Sequence, residues 1–192
     1  MVKREIKITR GYDPKTQAKI GLFAAQLDDQ LKRLKNNVKT LSVKQLEWQQ
    51  QPGMNTVGML LAHLALVEVW WINVAPAGLP WEPDGKKRIQ KICGFEDDGL
   101  PLASDGRHPE YLRGLTIEKY LAVLAKARRS IHREMKTWRD RDLDKLFVLG
   151  KKQFSKTWTL YHVLEHFAAH FGQILLLKHT MRDAGILKAE KK

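Results

Sequence analysis

The 192-residue chain has a single cysteine, Cys93. It can form no internal disulfide and no zinc site built from cysteines. It has no run of about 18 consecutive apolar residues, so no membrane-spanning helix is expected. Its first residues, MVKREIKITR, are polar and basic, with no apolar stretch behind them, unlike a secretory signal. A cytoplasmic protein without a membrane partner is the expectation. Strict apolar–polar alternation is also missing, so strands are not expected, and no internal repeat is visible. Positive charge, by contrast, is in excess. Lysine and arginine total 34 against 21 acidic residues, a net charge of +13. Such a balance suits nucleic acid or anionic surfaces. The basic residues are dispersed, however, and neither a recognition helix nor an RNA-binding motif is present. A solvated basic surface is the better reading, with nucleic acid not an expected partner.

Hydrophobic residues make up 43% of the chain, enough for a sizeable core. One domain over 1–192 is expected, with polar tails at 1–15 and 183–192. Four helical patterns can be read. The first runs from about Thr16 to Leu41, with Ile20, Leu27, Leu34 and Leu41 recurring every seven residues. Ser42 and Gln45 then form a capping-box pattern, and Pro52-Gly53 breaks the chain. The second helix starts after Asn55 as N-cap and reaches about Val74. The third begins near Thr116 and carries Ile117, Leu121, Leu124, Ile131, Met135 and Trp138 on one stripe, Arg128 with them. The fourth covers about Thr157 to Met181 and is apolar on nearly every side. Between the second and third lies an irregular stretch, 75–114, with five of the seven prolines and six of the thirteen glycines. Within it KKRIQKI suits a helical turn. The sum is an all-α, four-helix bundle with a long crossover connection between helices 2 and 3.

The fourth helix contains a ladder of imidazoles, His162, His166 and His170. Residues four apart on a helix are offset by about 40° and about 6 Å, so adjacent members of the ladder can face one metal ion. All three cannot easily do so, because His162 and His170 are about 12 Å apart along the axis. The remaining ligand must come from elsewhere. His63, in the middle of the apolar stripe of the second helix, is the candidate. Three imidazoles with an open position make a catalytic type of site, and zinc, nickel and iron all accept them. Core histidines are more often hydrogen-bonded than metal-bound. Yet several buried imidazoles without a shared purpose would leave polar nitrogens unsatisfied.

Other residues bear on this site. Gln173 falls about 20° from His162 around the helix, on the histidine side, and can hydrogen-bond a ligand there. Arg128 suits either an anionic substrate or a stem that reaches solvent. Glu165 points away from His166, and Glu68 lies off the His63 face. Cys93 reads as a packed small residue. Trp70, Trp71 and Trp158 flank the histidine helices and suit the wall of an apolar cavity.

The segments NTVGMLLAHLALVEVWW and LYHVLEHFAAHFGQILLLKH, with DDGLPLASDGRHPEYLRGLT between them, resemble the DinB/YfiT-like putative metalloenzyme superfamily over about residues 16–181. The resemblance implies a four-helix bundle with a crossover, often dimeric. It implies a divalent transition metal held by His63, His166 and His170, with His162 in the pocket. Where that superfamily often reads H-R-G-Q, this chain has His170-Phe171-Gly172-Gln173. The resemblance further implies a small-molecule substrate, such as a low-molecular-weight thiol, and a metal-dependent S-transferase or hydrolase. The alternatives are a metal-binding bundle without catalysis and, ranked below it, a basic nucleic-acid-binding protein.

Overall fold

The computed structural model describes residues 5–95, 100 and 105–188. Residues 97–99 and 101–104, within the DDGLPLASDGRHPEYLRGLT stretch, lie outside this set, as do the extreme ends. Helix α1 (Ala18–Val38) buries Ile20, Leu27 and Leu34, the predicted heptad stripe. The capping box opens the one-turn α2 (Val43–Leu46): Ser42 Oγ accepts from the Gln45 amide, and Gln45 Oε1 accepts from the Ser42 amide at 2.9 Å. Helix α3 (Val57–Val69) is capped by Thr56, one residue beyond the expected Asn55, because the Thr56 hydroxyl accepts from the Met59 amide at 3.1 Å. The chain then winds as a π-helix over Trp70–Val74 and a 3-10 turn over Ala75–Ala77. This continuous segment, Val57–Ala77, is long and apolar enough to cross a bilayer, with a mean hydropathy of 1.6. The absence of an unbroken apolar run had concealed that. In this fold 78% of its apolar window is buried, and the segment is a core helix.

The irregular connection contains α4 (Lys86–Cys93), a full eight-residue helix where a turn was expected. Its Ile89 and Cys93, four apart, are both buried and seat it against α3 and α5. The Cys93 thiol is pushed up to about 12, chiefly by burial and secondarily by Glu68, so it is a packed residue and no nucleophile. Gln49 pins the end of the crossover, donating to the Met54 carbonyl and accepting from the His108 amide at 3.0 Å. Helix α5 (Ile117–Met135) follows Thr116, as expected, and α6 (Lys156–Asp183) is capped by the Ser155 hydroxyl. Helix α1 packs on α5 and α6, and α3 packs on the same two, which closes the bundle.

Two expectations need correction. A hairpin, β1 (Leu146–Leu149) and β2 (Lys152–Ser155), precedes α6, with Leu149 paired to Lys152 around Gly150. Gly150 has φ 59°, the left-handed conformation a two-residue turn needs. Nor is α6 buried all round: Tyr161, Gly172 and Leu176 lie on an exposed outer face, Leu176 at 63% exposure. Among the described residues its neighbours lie on its inner side.

The apolar core is in two parts. One holds Leu31, Leu34, Leu64, Leu124 and Phe167; the other holds Leu27, Ile72, Ile131, Leu160 and Val163. A charged layer lies at the same level. Arg128, expected to meet a substrate or reach solvent, is only 5% exposed. Its guanidinium donates from Nε and Nη2 to both Glu68 oxygens and from Nη1 to Asp28 Oδ1 at 3.0 Å. Its position one turn from Ile131 on the buried stripe forces this: a charge there cannot stay unpaired.

Candidate metal centre

His63 projects from the middle of α3, and His166 and His170 from successive turns of α6. His63 Nε2 lies 2.9 Å from His166 Nε2, and His170 Nε2 lies 3.1 Å from His166 Nε2. All three donor atoms fall within 4.8 Å of one another. The two separations from His166 match nitrogens held about 2.1 Å from one ion at roughly right angles, which would be about 3 Å apart. Each of the three side chains is half-buried, so the point they face is walled by protein yet reachable.

Proton counting tests whether these contacts can be ordinary hydrogen bonds. His170 Nδ1 lies 2.7 Å from Gln173 Oε1. An amide oxygen only accepts, so Nδ1 carries the proton and the Nε2 of neutral His170 is a lone pair. The His166 pKa is lowered to about 3, first by burial and then by repulsion from His170, His63 and His162. His166 is therefore neutral and brings at most one proton to its Nε2. One N–H cannot point well at both neighbours. A cation facing the three lone pairs would resolve the shortage, so the donor set fits a divalent transition metal. Gln173, whose carboxamide fixes the tautomer and tilt of His170, belongs to this arrangement.

His162 is set back by one turn, its ring 5.7 Å from that of His166. It stacks on Trp158 at 4.7 Å between centroids and meets the edge of Trp71 at 5.3 Å. Phe154 of the hairpin completes this aromatic wall, in contact with both tryptophans. Trp70 turns the other way, onto Trp81. Burial lowers the His162 pKa, against the opposing effect of Glu165, whose carboxylate is 3.9 Å away. Arg128 is not brought into this group. It lies over the Phe167 ring, 5.6 Å from its centroid, with its donors spent on Glu68 and Asp28.

The mycothiol-S-transferase family matches residues 22–182, well over half of the chain. The chain belongs to that family. Within the DinB-like superfamily, a crystallised DinB-like protein from Bacillus cereus shares the fold, with a TM-score of 0.51 and 16% identity over 94% of this chain and 100% of that one. No curated protein matches at a significant level. At the position where the superfamily motif often has arginine, this mycothiol-S-transferase family member has Phe171. Phe171 is buried, with the Arg33 guanidinium of α1 5.8 Å from its ring centroid. It faces the core between α1 and α6, whereas Gln173 keeps its place beside His170.

Sequence reasoning missed the hairpin's part in the site. The signal was present: Leu146–Leu149 and Lys152–Ser155 flank a glycine-containing two-residue turn, with Phe147 and Phe154 in opposite strands.

Proposed function

We propose that the chain is a metal-dependent enzyme of the S-transferase type, with a low-molecular-weight thiol as one substrate. His63, His166 and His170 would hold a divalent transition metal. The observation that carries this reading is the convergence of three imidazole Nε2 atoms from two helices, with His166 Nε2 2.9 Å from that of His63 and 3.1 Å from that of His170. The family match supports a thiol as the substrate class. A metal bound there would lower the pKa of a thiol at its open position and present it as a thiolate.

The chain's own residues have separable parts in this. His166 stays neutral over the physiological range, so one of its ring nitrogens keeps a lone pair for a metal. Gln173 holds His170 in the Nδ1–H tautomer. His162 stacked on Trp158, with Trp71 edge-on to both, gives an aromatic surface one turn away against which the carbon accepting the thiol can rest. Hydrolysis is the second reaction this arrangement suits, with water in place of the thiol.

The test is elemental analysis of gently purified, tag-free protein beside His63→Ala and His170→Ala, followed by thiol-transfer assays. About one equivalent of transition metal in the parent, lost in both variants, is expected. Transfer of a thiol to an electrophile by the loaded parent alone would complete the case. If the parent takes up no zinc, nickel or iron(II), or His63→Ala binds as tightly as the parent, the reading fails. Metal binding with neither transfer nor hydrolysis would leave a non-catalytic metal-binding bundle.

A further inference from the structure

A second concave site lies between α4, within the crossover, and α5. Helices α4 and α5 diverge around a cleft of about 670 Å³, in the size range of small-ligand pockets. Lys87, Arg88 and Lys91 line it from α4, and Lys126 and Arg133 from α5. The one acid in the lining is Glu134, which accepts from the Trp138 indole N–H at 3.3 Å. Lys126 is committed to the Lys91 carbonyl at 2.9 Å. Among the described residues, no ion pair engages Lys87, Arg88, Lys91 or Arg133. Cations that share one lining with a single acid give the cleft a positive potential that attracts anions.

The cleft also receives Asn73, from the π-helical turn at the end of α3. Asn73 is 3% exposed; its Nδ2 donates to the Ser130 carbonyl at 3.4 Å, and its buried Oδ1 has no partner. The Ser130 contact fixes the amide's direction, because turning it over would set two oxygens against each other. An acceptor without a donor therefore sits in a basic cleft, and a π turn is a common device for presenting a side chain at a functional site. His63 is ten residues back along the same helix, about 15 Å along its axis, so this cleft is separate from the imidazole cluster.

We propose that the cleft between α4 and α5 binds a small phosphorylated molecule carrying a hydroxyl or amine donor, its phosphate on Arg88, Lys91 and Arg133 and its donor on Asn73 Oδ1. Arginine forks match phosphate oxygens in pairs, and the lysine adds a point charge. A nucleic-acid backbone would use the same cations but has no need of Asn73, and this separates the two.

The test is calorimetric titration at low ionic strength with glucose 6-phosphate, methyl phosphate, glucose and a short single-stranded oligodeoxynucleotide. Glucose 6-phosphate is expected to bind more tightly than methyl phosphate, and glucose not at all. Arg133→Gln and Lys91→Gln, both at exposed positions, should each weaken glucose 6-phosphate by about tenfold. Asn73→Ala should abolish the preference over methyl phosphate while keeping phosphate affinity. The parent's own preference supplies the answer if that variant does not fold. No binding of glucose 6-phosphate at millimolar concentration, equal binding of the two phosphates, or oligonucleotide binding that outcompetes both would each overturn the proposal.

Discussion

Replacing Gln173 by alanine isolates one hydrogen bond in the proposed centre. The side chain is exposed and its one described contact is the 2.7 Å bond from His170 Nδ1–H to Oε1. Apo stability should therefore change by less than about 0.5 kcal/mol. Metal affinity should change far more. Without the acceptor, His170 can carry its proton on Nε2 and rotate away from the other two rings. Loss of such an outer partner typically weakens metal binding by about 10–100-fold, or about 1.4–2.7 kcal/mol. At free zinc buffered to 100 times the parent's Kd, zinc would stabilise the parent by about 2.7 kcal/mol. The variant at the same free zinc would gain about 0.4–1.4 kcal/mol by the same relation. For a domain of this size each kcal/mol is about 2–4 °C in Tm, so the metal-induced rise should fall from about 5–11 °C to about 1–6 °C. Competitive titration against a chromophoric chelator gives Kd, and thermal denaturation with and without zinc gives the shift. Gln173→Glu keeps an acceptor and should restore tight binding. The reasoning is refuted if Gln173→Ala binds zinc as tightly as the parent while His170→Ala does not bind it.

Two further outcomes follow from the charged layer. Arg128→Met leaves Glu68, 2% exposed, as an uncompensated buried charge; it should cost about 3–5 kcal/mol, or about 6–20 °C in Tm, and Glu68→Leu in the same chain should recover most of it. A loss below about 1 kcal/mol in urea denaturation would contradict the pairing. Stability should also fall with acidification. Burial pushes the Asp28 carboxyl up, but hydrogen bonds and charge from His132 and Arg128 outweigh it and hold its pKa below the ordinary 3.8. A depressed carboxyl contributes stability above its unfolded pKa and loses it as pH falls through the folded one, so the loss belongs below about pH 4. Asp28→Asn should flatten denaturation midpoints measured across that range, and an unchanged slope would count against the assignment.

The long helices were legible because each buries a stripe of fixed period, and burial along Ile20, Leu27 and Leu34 leaves no other register. The imidazole ladder was legible for the same reason, since four-residue spacing determines direction on a helix whatever its neighbours are. His63 was legible as a polar residue in an apolar stripe, although its distance to α6 required the packing of two helices. The hairpin escaped because its strands have four residues each, with Leu146 and Val148 facing solvent. What holds it is tertiary: Phe154 rests on Trp71 and Trp158. Arg128 escaped because its acceptors come from α1 and α3, 100 and 60 residues distant in sequence. The partners of His132, Tyr12 at 2.8 Å from the segment before α1 and Asp28 of α1 at 2.9 Å, are likewise far away in sequence.

The two polar groups inside this bundle argue for different purposes by how completely they close. In the Arg128 layer each charged group meets a partner: guanidinium to Glu68 and Asp28, and His132 between Asp28 and the Tyr12 hydroxyl. Opposite charges offset each other, and the layer fixes the register of α1, α3 and α5 between two apolar blocks without requiring anything further. The imidazole cluster is half-buried and has no such pairing of opposite charges among its members. Its members are alike, mutually repulsive when protonated, and short of protons when neutral. Like donors gathered from two helices, with Gln173 behind His170, are what the proposed cation site requires before the cation arrives.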